Sequence, residues 1–315
     1  MTEKSAARTV VSVAQQDWAD QLTDLGGVEL VVWDMKDAPP RDDIELVVPP
    51  YMSNPKRLEH LCELPSLKAV QLATAGFEHA LQYLPSGVAL ANGRGIHDTS
   101  TAELAIGLAI ASQRAIPDAV RAQQSGQWLR LAGRPSLADR KALVIGYGSI
   151  GRMLVSRLQV LEVDCTVVAS RARAGDDLVD RVYGIDEIDQ LLPATEIVFL
   201  ILPMTDATRH LVDDEFLAAL PDDALVVNVA RGGIVDTDAL QRACATGHVR
   251  AAMDVTDPEP LPADHPLWTT RGVLITPHVG GATTAFTPRL IRLLRREIPH
   301  FIATGELSNV VVVGD

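Results

Sequence analysis

Arg231, Glu259 and His278 have side chains suited to chemistry, and each closely follows a strand-like apolar run. In open α/β sheets, ligands bind beyond the carboxyl ends of the strands, so these positions can meet a substrate. Arg231, in Val227-Asn-Val-Ala-Arg231-Gly-Gly, carries a permanent charge on a planar fork. That fork can grip a carboxylate and polarise an adjacent carbonyl, whereas a structural salt bridge is the plain alternative. His278 follows Pro277, and a histidine side chain is the type that can protonate a forming alkoxide and recover the proton in reverse. A satisfied surface or core histidine is the commoner fate. Glu259, between Pro258 and Pro260, is a candidate partner. A carboxylate on one ring nitrogen fixes the tautomer and favours the protonated donor, although an ordinary loop acid would have the same composition.

A second constellation points to a dinucleotide. Ala142–Ile145 runs as a strand into Gly146-Tyr147-Gly148-Ser149-Ile150-Gly151, and then into an amphipathic helix. The first glycine makes the tight turn and the second lets the backbone approach a pyrophosphate. The third allows close helix–strand packing, with the helix N-terminus facing the phosphates. Gly93-Arg-Gly95 lacks the third glycine and reads as a loop. Roughly 20 residues beyond such a loop, an acidic side chain would hold the ribose diol of NAD. Here the strand ends in Ser170-Arg171-Ala-Arg173, and no acid follows until Asp176. A hydroxyl and two guanidinium groups suit a 2′-phosphate better than a diol; two solvated loop arginines are the other reading. NADP(H) is therefore favoured over NAD(H).

Val227–Asp236, Met253-Asp-Val-Thr-Asp-Pro-Glu-Pro260 and Thr276-Pro-His-Val-Gly-Gly-Ala-Thr283 resemble the signatures of the D-isomer-specific 2-hydroxyacid dehydrogenase family. With the glycine loop and the strand-end turn Leu72-Ala-Thr-Ala-Gly76, these motifs cover nearly the whole chain in the family's order. The Ser-Arg turn is most similar to that of NADPH-preferring glyoxylate/hydroxypyruvate reductases. The resemblance implies Arg231, Glu259 and His278 as the catalytic trio, with Ala75 and Gly76 offering N–H groups to the substrate carboxylate opposite Arg231. For the cofactor it implies the glycine loop with Tyr147, Ser149 and Ile150, then Ser170, Arg171 and Arg173. It adds Leu202, Pro203, Thr208, Val229, Ala230, Asp254, His278 and Gly280. Asp254 would accept from the nicotinamide carboxamide, or cap the turn that follows it.

The elements that must position these residues alternate throughout. Strands are expected at Thr9–Ala14, Val28–Trp33, Ile44–Val48, Leu67–Leu72 and Val88–Ala91, with helices at Gln16–Leu25 and Pro55–Leu64. A long helix follows at Ser100–Ala115, and the polar stretch to Asp139 reads as a connection. A second series begins at Lys141, with strands reaching Val273–Thr276 and helices at Ser149–Leu161, Ile185–Leu192, Asp213–Leu220 and Asp236–Thr246. A last helix covers Pro288–Ala303. The fold class expected is α/β: two doubly wound Rossmann-like/flavodoxin-like domains with parallel sheets and an interdomain cleft. Residues 1–98, completed by 285–315, form the substrate domain; residues 99–284 form the dinucleotide domain. The Gln113–Asp139 connection, including Trp128, is similar to the region through which the family forms homodimers.

Composition narrows the remaining classes. The 28 basic and 41 acidic residues leave a net charge of −13, without the basic face that nucleic acid requires. A 47% hydrophobic content and a mean hydropathy of +0.12 exclude a mostly disordered chain. The apolar stretch Leu104–Gln113 is too short to span a bilayer, and the polar start Met1–Thr9 has no signal-peptide core. Cys62, Cys165 and Cys244 are widely separated, so they are expected as buried small hydrophobes in a reducing, cytoplasmic compartment. No cluster has metal-ligand spacing, and no metal is predicted. The other histidines are expected to be structural or solvated. Two rivals stand beside a small 2-oxo acid reductase. A 3-phosphoglycerate dehydrogenase would need a phosphate pocket, for which Arg57, Lys68 and Arg94 are scattered. A non-enzymatic, NAD(H)-sensing corepressor-type scaffold would use the same fold without turnover.

Overall fold

A computed structural model of the chain describes residues 8–314, so Met1–Ala7, which carry most of the polar start, lie outside the described residues. Short Val- and Leu-rich runs pair side by side because a strand covered on both faces needs apolar side chains on both. The chain opens with β1 (Thr9–Val13), α1 (Gln16–Asp20), β2 (Val28–Val32), β3 (Leu46–Val48), β4 (Ala69–Gln71) and β5 (Ala89–Ala91). Then come α2 (Asp98–Gln113), α3 (Ile116–Gln124), β6 (Lys141–Ile145), α4 (Ser149–Val160), β7 (Asp164–Ala169), β8 (Arg173–Ala174) and β9 (Arg181–Gly184). The series continues with β10 (Ile197–Leu200), α5 (Asp214–Ala219), β11 (Ala224–Asn228), α6 (Thr237–Thr246), β12 (Val249–Met253) and β13 (Val273–Ile275). It closes with α7 (Phe286–Thr304) and β14 (Val310–Val313).

Two compact units result: one runs to His97 and resumes at Thr284, and the other is Asp98–Thr283. In the first, the sheet order is β14-β5-β4-β3-β1-β2, and its five parallel strands follow the flavodoxin-like order. Val11 and Val13 pack with Trp18, Leu22 and the α7 residues Leu290, Leu294 and Ile298. On the other face Val10, Val47 and Val70 meet Leu58, Leu61 and Leu64. In the second unit the order is β13-β12-β11-β10-β6-β7-β9-β8. The chain leaves β6 toward β7 and later restarts at β10 on β6's other side. That reversal is the topological switch point of a Rossmann sheet. Helices α2 and α4 cover one face through Ala105, Leu108, Leu154 and Leu158. Phe216, Leu217 and Leu240 of α5 and α6 cover the other.

Several expectations need correction. Strands β8 and β14 run antiparallel to β9 and β5, so each sheet carries an antiparallel edge rather than being wholly parallel. Strands β8, β9 and β14 are two to four residues long, too brief to show a period. The segment expected as connection contains α3, which opens with Pro117 in its first turn and buries none of its residues. Pro55–Glu63 and Ile185–Gln190 wind as 3-10 rather than α-helix. Cys62 is exposed: Leu58 and Leu61 are the residues its helix buries.

Candidate active site

The glycine loop joins the carboxyl end of β6 to the start of α4. Gly146 has φ +110, and a Cβ there would lie 2.3 Å from the Ile201 carbonyl oxygen. A Cβ on Gly151 would lie 1.9 Å from the Gly146 carbonyl oxygen. No side chain fits at either position, so strand, turn and helix can close this tightly only with glycine. Gly148 differs: a Cβ there meets nothing within 4 Å. The space against that peptide is kept open, at the N-terminus of a twelve-residue helix, as an approaching pyrophosphate requires. The residues present therefore fit a dinucleotide.

Beyond β7, Ser170 and Arg171 are exposed. Arg173 donates from Nη2 to the Tyr147 carbonyl at 3.1 Å, which ties the turn to the glycine loop. Asp176, the first acid after the turn, is taken up elsewhere. It accepts from the Tyr147 hydroxyl at 3.0 Å, from Arg152 and from the Leu178 N–H. The Leu178 N–H, with Tyr147 and Arg152, holds its carboxyl below the ordinary range. Burial and then the bond to Asp176 push the Tyr147 phenol up to about 12. Leu202, Thr208, Val229 and Ala230 are buried at the ends of β10 and β11, and Pro203 is exposed. The Thr208 hydroxyl donates to the Pro203 carbonyl at 2.9 Å and so closes the turn it sits in.

The trio occupies the ends of β11, β12 and β13. Arg231 follows the fully buried Asn228, whose side chain accepts from the Ala230 N–H and donates to the Arg231 carbonyl. The Arg231 guanidinium donates to the Ala230 carbonyl at 2.7 Å. Next to it, a Cβ on Gly232 would lie 1.9 Å from the Thr256 carbonyl oxygen. Backbone therefore packs on backbone where the Arg231 turn meets the loop leading to Glu259. His278 Nδ1 lies 2.5 Å from Glu259 Oε1, and both side chains are about two-fifths exposed.

Asp254 builds the loop that holds His278. It is 3% exposed and accepts from the Thr276 hydroxyl at 2.6 Å and the Val279 and Gly280 N–H groups at 2.9 and 2.8 Å. Its carbonyl takes the His278 N–H at 2.8 Å. His278 itself has φ +53, a left-handed conformation that costs a residue with a side chain on the order of 1–3 kcal/mol. The four bonds to Asp254 over-determine that conformation. These contacts do not cap the turn that follows Asp254; they brace the Thr276–Gly280 segment instead.

Ala75 and Gly76 belong to the first unit, in the half-buried turn after β4. Asn92, Gly93 and His97 donate to the carbonyls of Ala75, Thr74 and Ala73 in this turn, contacts for which the Gly93-Arg-Gly95 pair, expected as a loop, was the only sequence signal. Among the described residues no group of three or more His, Cys, Asp or Glu side chains could hold a metal. No helix among them is long and apolar enough to cross a membrane.

Comparison with known proteins agrees with this geometry. Residues 106–280 match the family described as D-isomer specific 2-hydroxyacid dehydrogenase, NAD binding domain. The chain is 30% identical over 263 residues to a glyoxylate reductase of Thermofilum pendens, covering 78% of this chain and 77% of that one. It is 36% identical over 233 residues to a D-3-phosphoglycerate dehydrogenase of Archaeoglobus fulgidus, covering 71% of this chain but 43% of the relative. A D-isomer specific 2-hydroxyacid dehydrogenase from Xanthobacter autotrophicus Py2, solved in complex with NADPH and MES, superposes with a TM-score of 0.81. Its identity is 27%, over 98% of both chains. A Rossmann sheet with a glycine loop at its switch point and a strand-end Arg, Glu and His defines a nicotinamide-dependent oxidoreductase. The chain belongs to the D-isomer-specific 2-hydroxyacid dehydrogenase family.

Proposed function

We propose that the protein reduces a small 2-oxo acid such as glyoxylate or hydroxypyruvate to the D-2-hydroxy acid, using NADPH. The observation that carries this reading is the His278–Glu259 pair at 2.5 Å, set on a loop that Asp254 holds in place. The bound nicotinamide supplies the hydride. Arg231 grips the substrate carboxylate and polarises the carbonyl at C2, with the Ala75 and Gly76 N–H groups as further donors to the carboxylate. With Nδ1–H bonded to Glu259, His278 delivers its proton from Nε2 to the C2 oxygen. Glu259 stabilises the charged ring and keeps that nitrogen available.

The glycine loop, Ser170, Arg171 and Arg173 hold the cofactor in this reading, with Tyr147, Ser149, Ile150, Leu202, Pro203, Thr208, Val229, Ala230, Asp254 and Gly280 lining it. The preference for NADPH is supported by the exposed Ser170 and Arg171 and by the commitment of Asp176 to Tyr147 and Arg152. A homodimer built through the α3 region is supported by the exposed Ile116, Val120, Leu129 and Trp128, the last 92% exposed. A reducing, cytoplasmic setting is supported by three free cysteines.

A phosphorylated substrate is disfavoured by two of the three candidate cations. Lys68 pairs with Glu45 at 2.5 Å, and Arg57 donates to the Asp34 carbonyl. The test is a kcat/KM panel of glyoxylate, hydroxypyruvate and phosphohydroxypyruvate with NADPH. The unphosphorylated acids should lead; a lead for phosphohydroxypyruvate would overturn the substrate assignment.

A further inference from the structure

The turn after β4 has every carbonyl occupied and its amides left over. Gln71 Nε2 donates to the Leu72 carbonyl at 2.9 Å, and His97 Nε2 donates to the Ala73 carbonyl at 3.0 Å. The Gly93 N–H donates to the Thr74 carbonyl at 2.7 Å. Asn92 Nδ2 donates to the Ala75 carbonyl at 2.9 Å, and the Thr74 hydroxyl to the Gly76 carbonyl at 2.7 Å. Five consecutive carbonyls thus turn toward protein donors. The N–H groups of Thr74, Ala75 and Gly76 donate to none of the described residues. A run of unclaimed amides on a half-buried turn is an anion cradle of the kind built from successive backbone dipoles.

We infer that Asn92 and His97 are positioning residues that aim these amides at the substrate carboxylate. The inference rests on the reading that Ala75 and Gly76 bind that carboxylate. Neither side chain touches the substrate in this account; each acts through the peptide whose carbonyl it holds. Asn92 is itself braced, because its own carbonyl accepts from Gln71 Nε2 at 3.0 Å. His97 is 7% exposed and stacks on Phe286, with ring centroids 5.5 Å apart and planes 7° from parallel. Phe286 in turn stacks on Tyr51 at 4.0 Å. The ring that donates to Ala73 therefore cannot swing without breaking an aromatic stack. Gly93 is required for the same purpose: a Cβ there would lie 2.8 Å from the Ala73 carbonyl carbon and 2.9 Å from the Thr74 nitrogen. An amide arc fixed before the ligand arrives binds it without the cost of ordering the loop.

The experiment compares Asn92→Ala and His97→Phe with wild type, measuring KM and kcat for glyoxylate and the Kd for NADPH. His97→Phe keeps the aromatic stack and removes only the donor, so it gives a reading even where Asn92→Ala folds poorly. Each variant should raise the glyoxylate KM roughly three- to tenfold, the effect of one hydrogen bond. The NADPH Kd should stay within about twofold, with kcat changed less than KM. A merely structural role predicts a lower Tm with an unchanged KM, and that result in both variants overturns the inference. Gly76→Pro, which deletes an N–H outright, separates the two levels. A raised KM in Gly76→Pro with wild-type KM in the other two removes the positioning roles and leaves the carboxylate reading standing. An unchanged KM in folded Gly76→Pro removes the carboxylate reading itself.

Discussion

In the proposed reaction each member of the trio takes a different part, and the parts fail differently. Arg231→Lys keeps a positive charge but loses the planar fork, so carboxylate and carbonyl are no longer held together. Removing such a charge-assisted contact costs roughly 1.5–3 kcal/mol, and kcat/KM should fall about ten- to a hundredfold with the fold intact. His278→Ala removes the proton donor and should cut kcat about 10²–10⁴-fold while NADPH binding stays near wild type. Steady-state kinetics and fluorescence titration of NADPH, run on both variants, check the pair. An unchanged kcat/KM in Arg231→Lys would make that residue structural. Of this site, Arg231, Glu259 and His278 were legible in the sequence because each follows a strand-like run at a sheet's carboxyl edge. The role of Asp254 was not: its three side-chain bonds reach the Thr276–Gly280 segment more than 20 residues away, and no spacing rule encodes that.

At the scale of elements, the proposed preference for NADPH rests on the turn between β7 and β8. Ser170 places no charge where a diol-binding acid would stand, and Arg171 is exposed beside it. One charge-assisted contact to a partly exposed phosphate contributes on the order of 1–3 kcal/mol, a roughly ten- to hundredfold preference for NADPH. Ser170→Asp combined with Arg171→Ala should reverse it, because the new carboxylate repels a 2′-phosphate and accepts from ribose hydroxyls. The ratio of kcat/KM for NADPH over NADH, taken at one ionic strength, is the measurement. A wild-type ratio below one makes both arginines solvated loop residues and leaves the trio untouched. Buried central strands such as β6, β10 and β11 were readable as continuous apolar runs. The edges were not: β8 has two residues, and β14 is Val310–Val313, a partly exposed strand in a tail after α7. Pro55–Glu63 reads as a helix from its apolar spacing, and that spacing does not separate an α from a 3-10 winding.

For the whole molecule, each unit carries its candidate groups at the carboxyl ends of its own strands. A Rossmann order in Asp98–Thr283 puts the glycine loop and the trio's three strand ends on one sheet edge. A flavodoxin-like order in the other unit puts the amide turn at the carboxyl end of β4. The same scaffold without turnover would be a cofactor sensor, and fold alone does not separate the two. Chemistry does. The most direct measurement is to incubate the protein with NADPH and hydroxypyruvate and determine the configuration of the glycerate formed. The account predicts one D-glycerate for each NADPH consumed. Formation of L-glycerate, or NADPH left unconsumed with hydroxypyruvate and glyoxylate alike, would contradict it.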